Sequence, residues 1–145
     1  MASIRKEILI DALPERVWDA IRDVGAVHKR LAVGFVTDTR LEEGARIVSF
    51  ANGMTVRELI VDIDNKARRV AYAAVGGRFK HHNASMQVLA EGTDRTRLVW
   101  ITDLLPNELA GAIGALVDQG AEAMKTTLEL ASASRPTGLS EDPET

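Results

Sequence analysis

The chain opens on strict alternation. Ile4, Ile8 and Ile10 share one face while Arg5, Glu7 and Asp11 share the other, which predicts a strand over residues 3–11 with one buried side. The period then changes. Val17, Trp18, Ile21 and Val24 recur at helical spacing behind Pro14, a residue suited to a first helical turn, although Leu13 before it is a poor N-cap. Gly25 ends that helix, and residues 28–32 predict a short second one. From Gly34 to Leu104 the chain reads as strands, with spans 34–41, 45–52, 54–64, 68–75, 81–91 and 95–104. Turn-forming pairs separate them: Glu43-Gly44, Asn52-Gly53, Asp64-Asn65, Gly76-Gly77 and Gly92-Thr93-Asp94. Such short turns imply antiparallel neighbours.

Pro106 stops the last strand, and a long helix follows to about Ser132. Leu109, Ile113, Leu116, Val117, Met124, Leu128 and Ala131 form one apolar stripe, with Asp118, Glu122, Lys125 and Glu129 mainly off it. Residues 135–145 are polar and contain proline and glycine, which predicts a disordered tail behind a single domain over residues 1–134.

This order predicts an α+β fold. A curved antiparallel seven-stranded sheet with one apolar face must cover that face, and only the C-terminal helix is long enough to do so. A sheet gripping one helix leaves space between them, where pockets tend to form.

Three stretches carry a family resemblance. Ile10-Asp11-Ala12-Leu13-Pro14-Glu15-Arg16-Val17-Trp18 resembles the first strand-to-helix corner of the START and birch-pollen-allergen-like (SRPBCC) superfamily. Arg95-Thr96-Arg97-Leu98-Val99-Trp100, with Asp103 and Pro106, resembles its final strand, and residues 107–132 resemble its C-terminal gripping helix. The closer likeness is to the polyketide cyclase/dehydrase and lipid-transport branch, over roughly residues 3–132. The resemblance implies the helix-grip fold and a ligand cavity. It does not choose a function, because the superfamily includes lipid carriers, hormone receptors, cyclases and chaperone-binding modules. Plant relatives carry a glycine-rich loop after the second strand. Here that turn is Glu42-Glu43-Gly44-Ala45, so no phosphate-cradling loop is implied, and Gly76-Gly77 reads as turn chemistry rather than a gate.

Composition narrows the classes further. The 18 basic and 21 acidic residues are interspersed, with no basic stripe for nucleic acid. With no cysteine there is neither a disulfide framework nor a thiol nucleophile. The longest near-apolar run, residues 109–117, is far short of the ~20 residues a membrane span needs. The N-terminal residues lack a leader's apolar stretch, so a cytoplasmic protein is expected. His28, His81 and His82 do not make a metal spacing, and no cofactor fingerprint is present, so neither a metal nor a cofactor is expected. A homodimer remains open.

Alternation selects the candidate site residues. In 81–91 the apolar face carries Met86 and takes His82 inward, where an imidazole could act as general acid or base or simply hydrogen-bond at a cavity mouth. In 95–104 the outward Arg95 and Arg97 leave Trp100 and Thr102 facing in. In 54–64, Glu58 and Asp62 mark the solvent face, which turns Arg57 and Leu59 inward, with Arg57 able to hold a ligand carboxylate. Tyr72 faces in beside Val70 and Ala74. Ile113, Val117 and Met124 should complete the pocket from the helix. Gly111, Gly114 and Gly120 within that helix cost about 1 kcal/mol each against alanine. They serve either close packing on the sheet or room for a ligand.

The leading expectation is a carrier or binding protein for a small hydrophobic molecule that is lipid-like, aromatic or polyketide-like. The first alternative is a cyclase or dehydratase using His82 with Tyr72 or Arg57. The second is an interaction domain of the chaperone-binding kind.

Overall fold

The computed structural model describes residues 1–133, so the predicted tail over 135–145 lies outside the described residues. The strands are β1 (Ala2–Ile10), β2 (Val36–Glu42), β3 (Ala45–Phe50), β4 (Thr55–Asp64), β5 (Arg69–Val75), β6 (His81–Glu91) and β7 (Arg95–Leu105). Helix α1 (Pro14–Arg22) and a π-helical turn (Val27–Leu31) separate β1 from β2. Helix α2 (Ala110–Ala133) closes the chain after a 3-10 turn over Asn107–Leu109. The expected second short helix is thus a single π turn, and the long helix starts through a tighter turn than its periodicity suggests.

The strands form one sheet in the order β1-β7-β6-β5-β4-β3-β2, and every pairing is antiparallel. The predicted curved sheet on a C-terminal helix is the fold observed. Its inward face is built by alternation: Ile8 and Ile10 from β1, Val70 from β5, Met86 and Val88 from β6, and Leu98 from β7 are all buried. Helix α1 packs on β5, β6 and β7 and fills one end of this face. Leu13 offers α1 no side-chain cap, as expected, and Pro14 begins the helix. The buried Thr96 hydroxyl instead secures the corner by donating to the Ala12 carbonyl at 2.8 Å.

Helix α2 is tied to β1 by polar contacts. The Lys125 ammonium donates to the Leu9 carbonyl at 2.7 Å, and the Asp11 amide donates to the Glu129 carboxylate at 2.9 Å. Lys6 reaches Asp118 at 3.0 Å. At the other end of the sheet, α2 stands away from the strands and leaves a cavity.

Candidate ligand-binding site

The cavity holds about 360 Å³ and lies between the N-terminal half of α2 and the inward faces of β4 to β7. Sheet register places its polar groups. Ile60, Tyr72, Ala84 and Thr102 stand opposite one another across β4, β5, β6 and β7. In the next row outward, Glu58 stands opposite Ala74, and His82 opposite Leu104. The alanines matter because large side chains there would fill the space. Helix residues Ile113, Leu116 and Val117 close the cavity from above, and Phe35 and Phe50 close one side in an edge-to-face pair at 5.4 Å.

Trp100 limits the cavity's depth. A Cβ at Gly120 would lie 3.1 Å from both the Trp100 and Phe35 rings, so the indole rests directly on the helix backbone. The indole N–H donates to the Tyr72 hydroxyl at 3.0 Å, and both side chains are buried. Burial, with the nearby Glu58 charge, holds the Tyr72 phenol well above its ordinary pKa, so it stays protonated.

Glu58 is buried and is neutralised by Arg46, directly opposite it on β3. The guanidinium donates to one carboxylate oxygen at 2.8 Å and to the Val24 carbonyl at 3.3 Å. Its Cζ lies over the Tyr72 ring, 4.9 Å from the ring centroid. The guanidinium is therefore committed on three sides, and Glu58 and Tyr72 present themselves to the cavity as part of one fixed cluster.

The rim is formed by the β5–β6 turn. Gly76 and Gly77 both have positive φ, at 89° and 68°, a conformation that suits glycine. The pair lines the cavity and is explained by the turn it makes. Beyond it, Phe79 lies against His82 with ring centroids 4.4 Å apart and planes tilted by 39°. The His82 Nδ1 atom is buried without a hydrogen-bond partner. Burial, and then the neighbouring His81, lower its pKa, so the imidazole is neutral at pH 7.

The family model for "Polyketide cyclase / dehydrase and lipid transport" matches residues 1–129. The chain belongs to this family. Solved structures agree at the level of fold. An uncharacterized protein from Bacillus thuringiensis aligns with a TM-score of 0.78 at 17% identity, covering 88% of this chain and 98% of its own. The Zhui aromatase/cyclase from Streptomyces sp. R1128 gives 0.69 at 18% identity, covering 92% and 94%. Norcoclaurine synthase from Thalictrum flavum, solved as a point mutant with a transition-state analogue, gives 0.68 at 17% identity, covering 90% and 95%. No curated protein matches the sequence.

Within this family member the predicted site residues divide. His82, Tyr72, Trp100, Thr102, Ile113 and Val117 line one cavity, as expected from alternation. Met86 and Met124 are buried, but in the core rather than in the cavity wall. Met86 pairs with Trp100 one row nearer α1, and Met124 lies one turn beyond Gly120, so the indole stands between both and the ligand space.

Arg57 and Leu59 are corrected outright. Both face away from the cavity, and the exposed Arg57 pairs with Glu42 at 3.1 Å. Two physical causes combine. Glu58 points inward because Arg46 neutralises it, so its charge does not mark the solvent face. A bulge between Ile60 and Asp62 then shifts the alternation, putting Glu58 and Asp62 on opposite faces. The helix glycines are resolved as well. Gly120 serves close packing, whereas an added Cβ at Gly111 or Gly114 would touch nothing and neither residue lines the cavity.

Sequence reasoning missed Arg46, Glu58, Phe35 and Phe50. A signal existed for the first two. Arg46 shares its face with Val48 and Phe50, and opposite charges on adjacent strands can stand cross-strand.

Proposed function

We propose that this chain binds one compact hydrophobic molecule in the cavity between the sheet and α2, as a cytoplasmic carrier or binding protein. The observation that carries this reading is the cavity itself. It is sized for a single small ligand, walled mostly by aromatic and aliphatic side chains, and marked by a few fixed polar groups. Its interior charges, Arg46 and Glu58, are paired, so the interior favours an uncharged ligand body, while the exposed Arg78 at the rim has no ion-pair partner among the described residues and could meet an acidic group. Native mass spectrometry of the purified protein tests this. A co-purifying organic ligand, lost when Gly120→Leu drives Trp100 toward the cavity, is the expected result. A protein that takes up no hydrophobic ligand from its host or from a panel of small aromatic compounds and fatty acids would contradict the reading.

One observation favours a second reading. His82 and Tyr72 line the same cavity, one a neutral imidazole and the other a protonated phenol. Such a pair suits proton transfer on a bound carbonyl compound, as in a cyclase or dehydratase. Arg57 has no place in that scheme. His82→Ala should then leave binding nearly intact and remove turnover. Turnover that persists in His82→Ala would remove this residue from the chemistry.

A further inference from the structure

The Trp100–Tyr72 hydrogen bond has a direction, and the direction selects a ligand group. An indole N–H can only donate, so in this pair the Tyr72 oxygen is the acceptor. The phenolic proton must therefore go elsewhere. Among the described residues no acceptor takes it: Glu58 acts on Tyr72 through its charge and makes no hydrogen bond to it. Tyr72 lines the cavity, so a ligand there can supply the acceptor that its O–H lacks.

The surroundings hold this donor in place. Accepting the indole hydrogen bond polarises the phenol and strengthens the hydrogen bond it can give. The Arg46 guanidinium over the ring draws electron density the same way, against the opposing charge of Glu58. Rotation is limited because the indole is wedged between Tyr72 and the α2 backbone at Gly120.

We propose that Tyr72 is the specificity-determining residue of the cavity and selects hydrophobic ligands that present a carbonyl oxygen. The inference depends on the cavity being a ligand site, and deepens that reading by naming the ligand's polar group. A hydrocarbon of the same shape leaves the phenolic proton unpaired in a dry site, and an N–H donor meets a donor.

Three rigid tricyclic probes of nearly equal size separate these cases: fluorenone with a carbonyl, fluorene with none, and carbazole with an N–H. Isothermal titration calorimetry on the full chain should give fluorenone a Kd about five- to ten-fold below that of fluorene, as expected for one reinforced hydrogen bond. Tyr72→Phe also frees the Trp100 N–H, which a carbonyl could accept, so the reference is the double variant Tyr72→Phe/Trp100→Phe, which has neither donor and in which that ratio should fall to near one. Equal affinities in the parent, or a fluorenone preference that survives in the double variant, would overturn the proposal. Carbazole binding tightest would transfer the polar handle to the free Glu58 oxygen and overturn it too. If fluorenone and carbazole fail while fluorene binds, the cavity reading stands and this inference falls. If none of the three binds, the cavity reading fails for aromatic ligands and takes the inference with it.

Discussion

Helix α2 has two halves that meet the sheet differently. Its C-terminal half lies close on the sheet: Gly120 lets two aromatic rings touch the backbone, Ala121, Met124 and Leu128 are buried, and Lys125 and Glu129 are bonded to Leu9 and Asp11 at the end of β1. Its N-terminal half spans a cavity, and two of its glycines meet nothing. One apolar stripe covers both halves. The difference therefore comes from the sheet beneath, where large residues such as Met86 and Leu98 give way to Ala74 and Ala84 near a paired acid and base.

The sharpest way to break this contrast is through the paired charges of the open half. Glu58→Ala leaves the Arg46 guanidinium buried without its carboxylate, and about 3–5 kcal/mol of stability should be lost in chemical denaturation. Replacing both residues with apolar side chains of similar volume should recover most of it. A Glu58→Ala loss under about 1 kcal/mol would show that water in the cavity solvates Arg46, and that the cluster is not rigid.

A second test compares glycines. Gly120→Ala adds a methyl group where 3.1 Å is available and should cost about 1–3 kcal/mol. Gly114→Ala meets nothing and should gain up to about 1 kcal/mol from helix propensity. Thermal denaturation of the two variants reads the sign directly. Equal effects would mean that both halves of the helix pack alike.

The pH dependence is smaller. His82 has its pKa lowered below the ordinary 6.5 because burial disfavours the charged ring. The unfolded chain therefore binds the proton first as pH falls. The stability conferred by the neutral ring is complete above about pH 6.5 and declines below it, so His82→Phe should flatten that decline. Denaturation midpoints measured across this range give the answer, and an unchanged slope would show that His82 is solvated.

The smallest effect should be at Arg57. Its pair with Glu42 is exposed, so Arg57→Ala should cost under about 1 kcal/mol and leave ligand affinity unchanged. A several-fold loss of affinity in an acidic ligand would return this arginine to the site.

These residues also show how far the sequence could be read. The strands were legible because their turns are short and carry Asn-Gly or Gly-Gly signals, and because β1, β6 and β7 alternate cleanly. The helix was legible from one stripe. The six cavity residues correctly grouped lie on β5, β6, β7 and α2, where the period runs unbroken. The errors lie on β4, where a bulge inverts the faces partway along and where an acid is buried. Neither is visible from one strand alone, since the bulge belongs to a pairing and the acid is explained only by Arg46 on the neighbouring strand. Met86 and Met124 faced the correct way. Their distance from the cavity depends on where one indole lies, which alternation does not encode.

The position of that indole also equips the molecule with an optical probe. The chain has two tryptophans. Trp100 forms part of the cavity wall, while Trp18 belongs to α1 at the opposite end and donates to Asn65 at 3.2 Å. Light absorbed at the indole band is thus reported from two separate places, one touching any occupant and one remote from it. A carbonyl compound stacked on Trp100 quenches its emission and leaves Trp18 as an internal standard. Occupancy becomes a change in intensity within a single unlabelled spectrum, and Trp18→Phe leaves a protein whose entire tryptophan emission comes from the ligand site.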